Sequence, residues 1–133
     1  MVMPASPLRI LIAENQYLIA MEVERMLCEM IACEVTISPL PRWEQELSST
    51  PFDVVILDAA GSDEINLSRA ELIRATGAEP VFLSSYGDFH EQSASGSSYP
   101  IVPKPPLPEP LAAAVELAAS RRGSDGKGLL DNR

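Results

Sequence analysis

The sequence predicts an α/β fold, a doubly wound five-stranded parallel sheet with helices on both faces. Three observations predict it. Five short apolar runs recur along the 133 residues, at 8–13, 34–38, 52–58, 81–83 and 99–102. The strongest of these runs are continuous rather than alternating, the pattern of strands buried on both faces. Helical spacing appears between the runs, and strand–helix–strand units with right-handed crossovers build such a sheet.

Residues 1–7 read as a flexible lead-in. Leu8-Arg9-Ile10-Leu11-Ile12-Ala13 is the first strand. From Gln16 to about Ile31, the residues Ile19, Val23, Met26, Leu27 and Met30 fall at helical spacing, with Glu22, Glu24, Arg25 and Glu29 on other faces. Residues 34–38 form a second strand. A short helix follows around 43–47, with Trp43 and Leu47 one turn apart on its buried side. In residues 52–58, four successive apolar residues end in the carboxylate of Asp58.

Residues 66–76 read as a helix. Ser68 and Glu71 have capping-box spacing, Leu72 and Ile73 face inward, and Gly77 ends it. The fourth strand, 81–83, runs into Ser84 and Ser85. Residues 88–98 are rich in Ser and Gly, with Phe89 their only large apolar residue, so the fourth helix is expected to be short or irregular. The last strand is closed by Pro103-Lys104-Pro105-Pro106. A helix follows over 107–122, and 123–133 read as a disordered tail. One domain, 8–122, accounts for the organisation.

Composition narrows the function. At 46% hydrophobic residues the chain has the material for a core. Its net charge of −9 disfavours nucleic acid and anionic membrane surfaces as partners. No segment is long and apolar enough to span a bilayer, and the first apolar run lacks the layout of a signal peptide. A soluble, cytoplasmic protein is expected. Cys28 and Cys33 read as reduced thiols packed around a helix end. His90, the single histidine, lies in the weakest segment and reads as a surface residue. Arg121 and Arg122 suit a solvated helix end.

In an open parallel sheet the crevice lies at the carboxyl ends of the strands. The polar residues just past the strands are Glu14 and Asn15, Asp58, Ser84 and Ser85, and Lys104. Acidic groups gathered at one edge repel each other unless a cation joins them, and oxygen-only ligands suit Mg²⁺. Asp58 has the chemistry of a nucleophile toward phosphorus. A cation, a lysine and a hydroxyl could then share the charge of the phosphoryl oxygens. Asn15 is also a candidate N-cap for the first helix. No Gly-rich phosphate loop follows the first strand and no nucleophile elbow is present, which argues against nucleotide or flavin binding and against a hydrolase.

Four fragments carry a resemblance. They are Ile10-Leu11-Ile12-Ala13-Glu14-Asn15-Gln16-Tyr17-Leu18-Ile19-Ala20, Val54-Val55-Ile56-Leu57-Asp58, Val81-Phe82-Leu83-Ser84-Ser85-Tyr86-Gly87-Asp88 and Pro103-Lys104-Pro105. In this order, each at a strand end, they resemble the receiver domains of two-component response regulators. The resemblance covers about 8–122. It implies the flavodoxin-like strand order 2-1-3-4-5. It also implies Asp58 as phosphoacceptor and metal ligand, Glu14 and Asn15 as further ligands, and the Ala60 carbonyl as a fourth. Ser84 and Lys104 would bind the phosphoryl group.

The implied cofactor is Mg²⁺, bound weakly. The implied donor is a histidine kinase or phosphotransfer protein. No output domain follows Arg122, so an unknown downstream protein would read the signal through protein–protein contacts, and a homodimer stays open. The module would be no enzyme beyond self-catalysed phosphoryl transfer and slow autodephosphorylation.

The sequence departs from the family pattern in three ways. Asn15 stands where a second acid is usual. Ile101 stands at the position of the fifth-strand switch aromatic. The segment before Tyr99 is poor in helix signals. The alternative reading is a pseudo-receiver with a weakened metal site that binds proteins without phosphorylation.

Overall fold

In the computed structural model, which describes residues 7–85 and 99–131 with side chains to 122, five parallel strands form one sheet in the order β2-β1-β3-β4-β5. The strands are β1 (Leu8–Ala13), β2 (Cys33–Ser38), β3 (Val54–Asp58), β4 (Glu79–Ser84) and β5 (Ile101–Pro103). The helices of the described residues are α1 (Tyr17–Met30), α2 (Trp43–Ser49), α3 (Asp63–Ala75) and α4 (Pro108–Asp131), with a 3₁₀ turn at Leu40–Arg42. The predicted fold class and strand order are both present. The helix expected between β4 and β5, His90 and most of the expected lead-in lie outside the described residues.

Continuous apolar runs make sense because successive side chains enter two different cores. Ile10, Ile12, Val54, Ile56, Val81 and Leu83 face α1 and α4, packing on Val23, Leu27, Leu111 and Val115. Leu11, Ala13, Val55, Leu57 and Phe82 face the other way, onto Trp43, Leu47, Ala70 and Ile73. Ile56 is fully buried in the first cluster. Ile56→Val, which removes one methyl group there, is expected to cost about 1 kcal/mol in urea unfolding without changing the slope of the transition.

Several boundaries move for identifiable reasons. The expected capping box Ser68–Glu71 lies inside α3. The helix starts earlier, at Asp63, because the Ser62 hydroxyl caps it by accepting the Ile65 N–H at 3.4 Å. The face that packs on the sheet carries Asn66, Ala70 and Ile73. Leu72 is therefore turned outward, at 48% exposed, although its apolar character suggested the core. Met30, at the end of α1, is likewise 47% exposed, since the chain turns away before covering it.

β4 begins at Glu79 rather than 81, with Pro80 inside it. The N–H groups of Glu79 and Phe82 bond to Asp53 O and Pro100 O, on opposite sides of the strand. By alternation Pro80 presents its missing donor on the Phe82 side, where β5 has not yet started, so no ladder bond is lost. α4 continues to Asp131, where a disordered tail was expected from 123. Its glycines each lower helix propensity by about 1 kcal/mol relative to Ala, but its two prolines, Pro108 and Pro110, lie in the first turn and none follows.

Two buried carboxylates at the amino edge of the sheet are paired with arginines. Asp53, 7% exposed, accepts the Arg9 N–H at 2.8 Å and lies 3.6 Å from the Arg9 guanidinium and 3.4 Å from that of Arg122. Glu79, 4% exposed, meets Arg74 at 3.0 Å. These pairs tie α4 and α3 to the strand starts. They leave the opposite edge as the place where acidic groups lack such cover.

Candidate functional site

The chain leaves β1 toward β2 on one side and returns to β3 on the other, so strand order reverses between β1 and β3. Their carboxyl ends carry Glu14 and Asp58. Each flanking ladder extends one residue past its strand and fixes the residues that follow. Glu14 N–H donates to Ser38 O at 3.0 Å, Ala59 N–H to Leu83 O at 2.7 Å, and Lys104 N–H to Ser84 O at 2.8 Å. Backbone pairing thus delivers Glu14, Asp58, Ser84 and Lys104 to one edge.

There the Lys104 ammonium donates to Asp58 Oδ1 at 2.9 Å and lies 3.8 Å from Glu14 Oε1. The Lys104 and Asp58 side chains are partly exposed, whereas Glu14 is only 4% exposed. Glu14 Oε2 accepts the Gln16 N–H at 3.0 Å, and Oε1 is buried without a hydrogen-bond donor. Burial pushes the Glu14 carboxyl above its ordinary value. The Gln16 N–H and Lys104 oppose that rise, and the charge of Asp58 adds to it.

The folded protein therefore holds the Glu14 proton to higher pH than the unfolded chain does. Its contribution to stability is full below the ordinary glutamate value and is lost as pH rises through the raised one. Glu14→Gln lacks this decline. In EDTA, urea midpoints should show the parent losing stability relative to Glu14→Gln from acid to neutral pH.

Three of the expected site residues have further partners. Asn15 Oδ1 accepts the Leu40 N–H at 3.0 Å, which ties the loop after β1 to the turn after β2 and occupies that oxygen. Nor does Asn15 cap α1, whose cap position is Gln16 and makes no side-chain cap bond. The Ala60 carbonyl, expected at the metal, accepts Asn66 Nδ2 at 3.2 Å, while Ala60 N–H donates to Asn66 Oδ1 at 2.7 Å. Asn66 is fully buried, and its amide holds both polar groups of the residue two past Asp58. Sequence reading missed it. The available signal was a polar residue in register with Ala70 and Ile73 on the inner face of a helix. Ser84 is buried at the end of β4, beside the path of Lys104.

Ile101 occupies the fifth strand, partly buried, as expected. The aromatic of that region is Tyr99, two residues earlier on the same side of the sheet, with its ring 4.7 Å from that of Phe82. Beside the site, Ile19, Met26, Pro105 and Pro106 line a mainly apolar groove of about 560 Å³, with Lys104 at its edge.

The donor set fits a hard divalent cation in kind. It offers an orphaned buried carboxylate oxygen, a second carboxylate and a carbonyl. Among the described residues there is no group of three or more His, Cys, Asp or Glu placed to hold a metal. A cation here would keep several of its waters.

No family model and no curated protein sequence matches the chain. Solved structures do match it in fold. A response regulator receiver protein from Sinorhizobium medicae superimposes with a TM-score of 0.66 at 20% identity, covering 87% of this chain and 97% of that one. A CheY-like response regulator receiver domain protein from Methanospirillum hungatei gives 0.66 at 19% identity, covering 90% and 99%. The response regulator PhyR from Brucella abortus gives 0.75 at 21% identity, covering 96% of this chain and 54% of that one. The chain has the fold of these receiver domains.

Proposed function

We propose that this chain is a receiver module that accepts a phosphoryl group on Asp58. The observation that carries the reading is the Lys104 ammonium 2.9 Å from Asp58 Oδ1, with buried Glu14 behind it, at the point where strand order reverses. An Asp58 oxygen attacks phosphorus as the bond to the donor's histidine nitrogen breaks, giving an acyl phosphate and a free imidazole. Lys104 then turns from the carboxylate to the phosphoryl oxygens. Ser84, at the adjacent strand end, would donate its hydroxyl to a further oxygen.

Glu14, Asp58 and the Ala60 carbonyl would hold Mg²⁺. When bound, Mg²⁺ would supply charge neutralisation for the phosphoryl oxygens. The donor class is a histidine kinase or a phosphotransfer protein in the cytoplasm. Output passes to a downstream protein by contact. No helix of the described residues is long and apolar enough to cross a membrane.

The position of Asn15 favours a second reading. Its side-chain oxygen serves the Leu40 N–H, and among the described residues no third carboxylate joins Glu14 and Asp58, so a pseudo-receiver that binds proteins without phosphorylation is the competing assignment. Intact mass after incubation with acetyl phosphate, with and without Mg²⁺, separates the two. A Mg²⁺-dependent adduct of one phosphoryl group that maps to Asp58 supports the receiver. A folded protein that takes no adduct from acetyl phosphate or from a phosphorylated histidine donor, and gives no response to Mg²⁺ titration, supports the pseudo-receiver.

A further inference from the structure

Cys28 lies in the last turn of α1, and Cys33 is the first residue of β2. The turn between them, capped by the Ile31 N–H donating to Leu27 O at 2.7 Å, brings their Sγ atoms to 3.7 Å. Both thiols are free, Cys28 exposed and Cys33 half-buried. A disulfide needs about 2.0 Å between the sulfurs, and closing the remaining gap is within reach of side-chain rotation. This is a preformed dithiol with one sulfur open to solvent.

We propose that Cys28 and Cys33 are a thiol-modification site that closes to an intramolecular disulfide and takes low-molecular-weight disulfides of the glutathione class as its oxidant. Cys28 is the sulfur that an incoming disulfide can reach. Its thiolate attacks one sulfur of oxidised glutathione, the sulfur–sulfur bond breaks, and one glutathione thiolate leaves. Cys33, after giving its proton to water, attacks Cys28 Sγ in the mixed disulfide and expels the second glutathione thiolate. One oxidant is reduced to two thiols, and the protein loses two hydrogens.

Burial and the neighbouring Cys28 push the Cys33 thiol up to about 12, so Cys33 stays protonated while Cys28 takes the first step, and the part of that rise owed to Cys28 is gone once Cys28 is held in the mixed disulfide. The bond would staple the last turn of α1 to β2, the edge strand of the sheet. In a reducing compartment such a bond is transient, which suits a sensor rather than a structural staple.

The site lies at the amino edge of the sheet, away from Asp58, so its test is independent of phosphorylation. A single tryptic peptide, from Met26 to Arg42, carries both cysteines. The reduced full chain is treated with oxidised glutathione and analysed by intact mass and by alkylation of that peptide. The parent is expected to lose two hydrogens, resist alkylation, regain both thiols with dithiothreitol, and melt no lower when oxidised. Cys33→Ser is expected to stop as a single glutathione adduct on Cys28. A parent that ends with stable glutathione adducts would overturn the proposal. So would thiols still open to alkylation when Cys33→Ser has taken up its adduct, or an oxidised form that melts below the reduced one.

Discussion

Lys104→Ala is expected to slow phosphorylation of Asp58 by about 10²- to 10³-fold at saturating Mg²⁺, the usual loss when one preorganised group opposite developing charge is removed. The ammonium is held by its own backbone bond to Ser84 O and sits 2.9 Å from Asp58 Oδ1, so it needs little reorganisation to meet a phosphoryl oxygen. Asp58→Ala sets the floor: it should take no phosphoryl group at any Mg²⁺ concentration, by intact mass.

The two variants should also part in stability. Removing Lys104 leaves Glu14 and Asp58 facing one another without a cation, so urea unfolding in EDTA should show a loss, and added Mg²⁺ should restore more stability than it gives the parent. Removing Asp58 relieves that repulsion and leaves Lys104 to Glu14, so no comparable loss is expected. Phosphorylation of Lys104→Ala at the parental rate would remove Lys104 from the site chemistry.

The fold was legible because it rests on long-range patterns. Continuous apolar runs such as Ile10–Ala13 and Val54–Leu57 are required when both faces of a strand are covered, and both faces are. Helix starts were less legible because they rest on single side chains. Ser62 and Ser68 are both reasonable caps by type. Ser62 wins because a start at Asp63 carries the helix through Asn66, whose buried amide then bonds the Ala60 backbone. Pro80 hid the start of β4, since its compatibility depends on where β5 begins, which no local window contains.

For the site, the strand-end rule expected Glu14, Asp58, Ser84 and Lys104 at one edge, and backbone pairing brings them to it. The rule failed to say what the neighbouring polar groups would do. Asn15 has the residue type of a ligand, but its oxygen satisfies a backbone donor 25 positions on. The roles of Asn15 and Asn66 are set by which backbone groups fold next to them, and adjacency in sequence does not report that.

Asn66→Ala is expected to destabilise the protein by ~1–3 kcal/mol, because two hydrogen bonds from a buried amide to the partly buried Ala60 backbone are lost at once. Asn66 Oδ1 accepts from Ala60 N–H at 2.7 Å and Nδ2 donates to Ala60 O at 3.2 Å, in a position with no exposure. Asn66→Asp keeps the acceptor and loses the donor, and it adds a buried charge, so it should fall below the parent too.

The chemical effect should be smaller than the structural one. The loop after Asp58 loosens, while Ala59 N–H remains bonded to Leu83 O and Lys104 keeps its place. At saturating Mg²⁺ and a temperature where the variant stays folded, Asn66→Ala should therefore phosphorylate faster than Lys104→Ala. A loss of phosphorylation as deep as that of Lys104→Ala in a folded Asn66→Ala protein would mean that the Ala60 loop, rather than the lysine, governs the reaction. Urea midpoints and initial phosphorylation rates on the same preparations decide between the two.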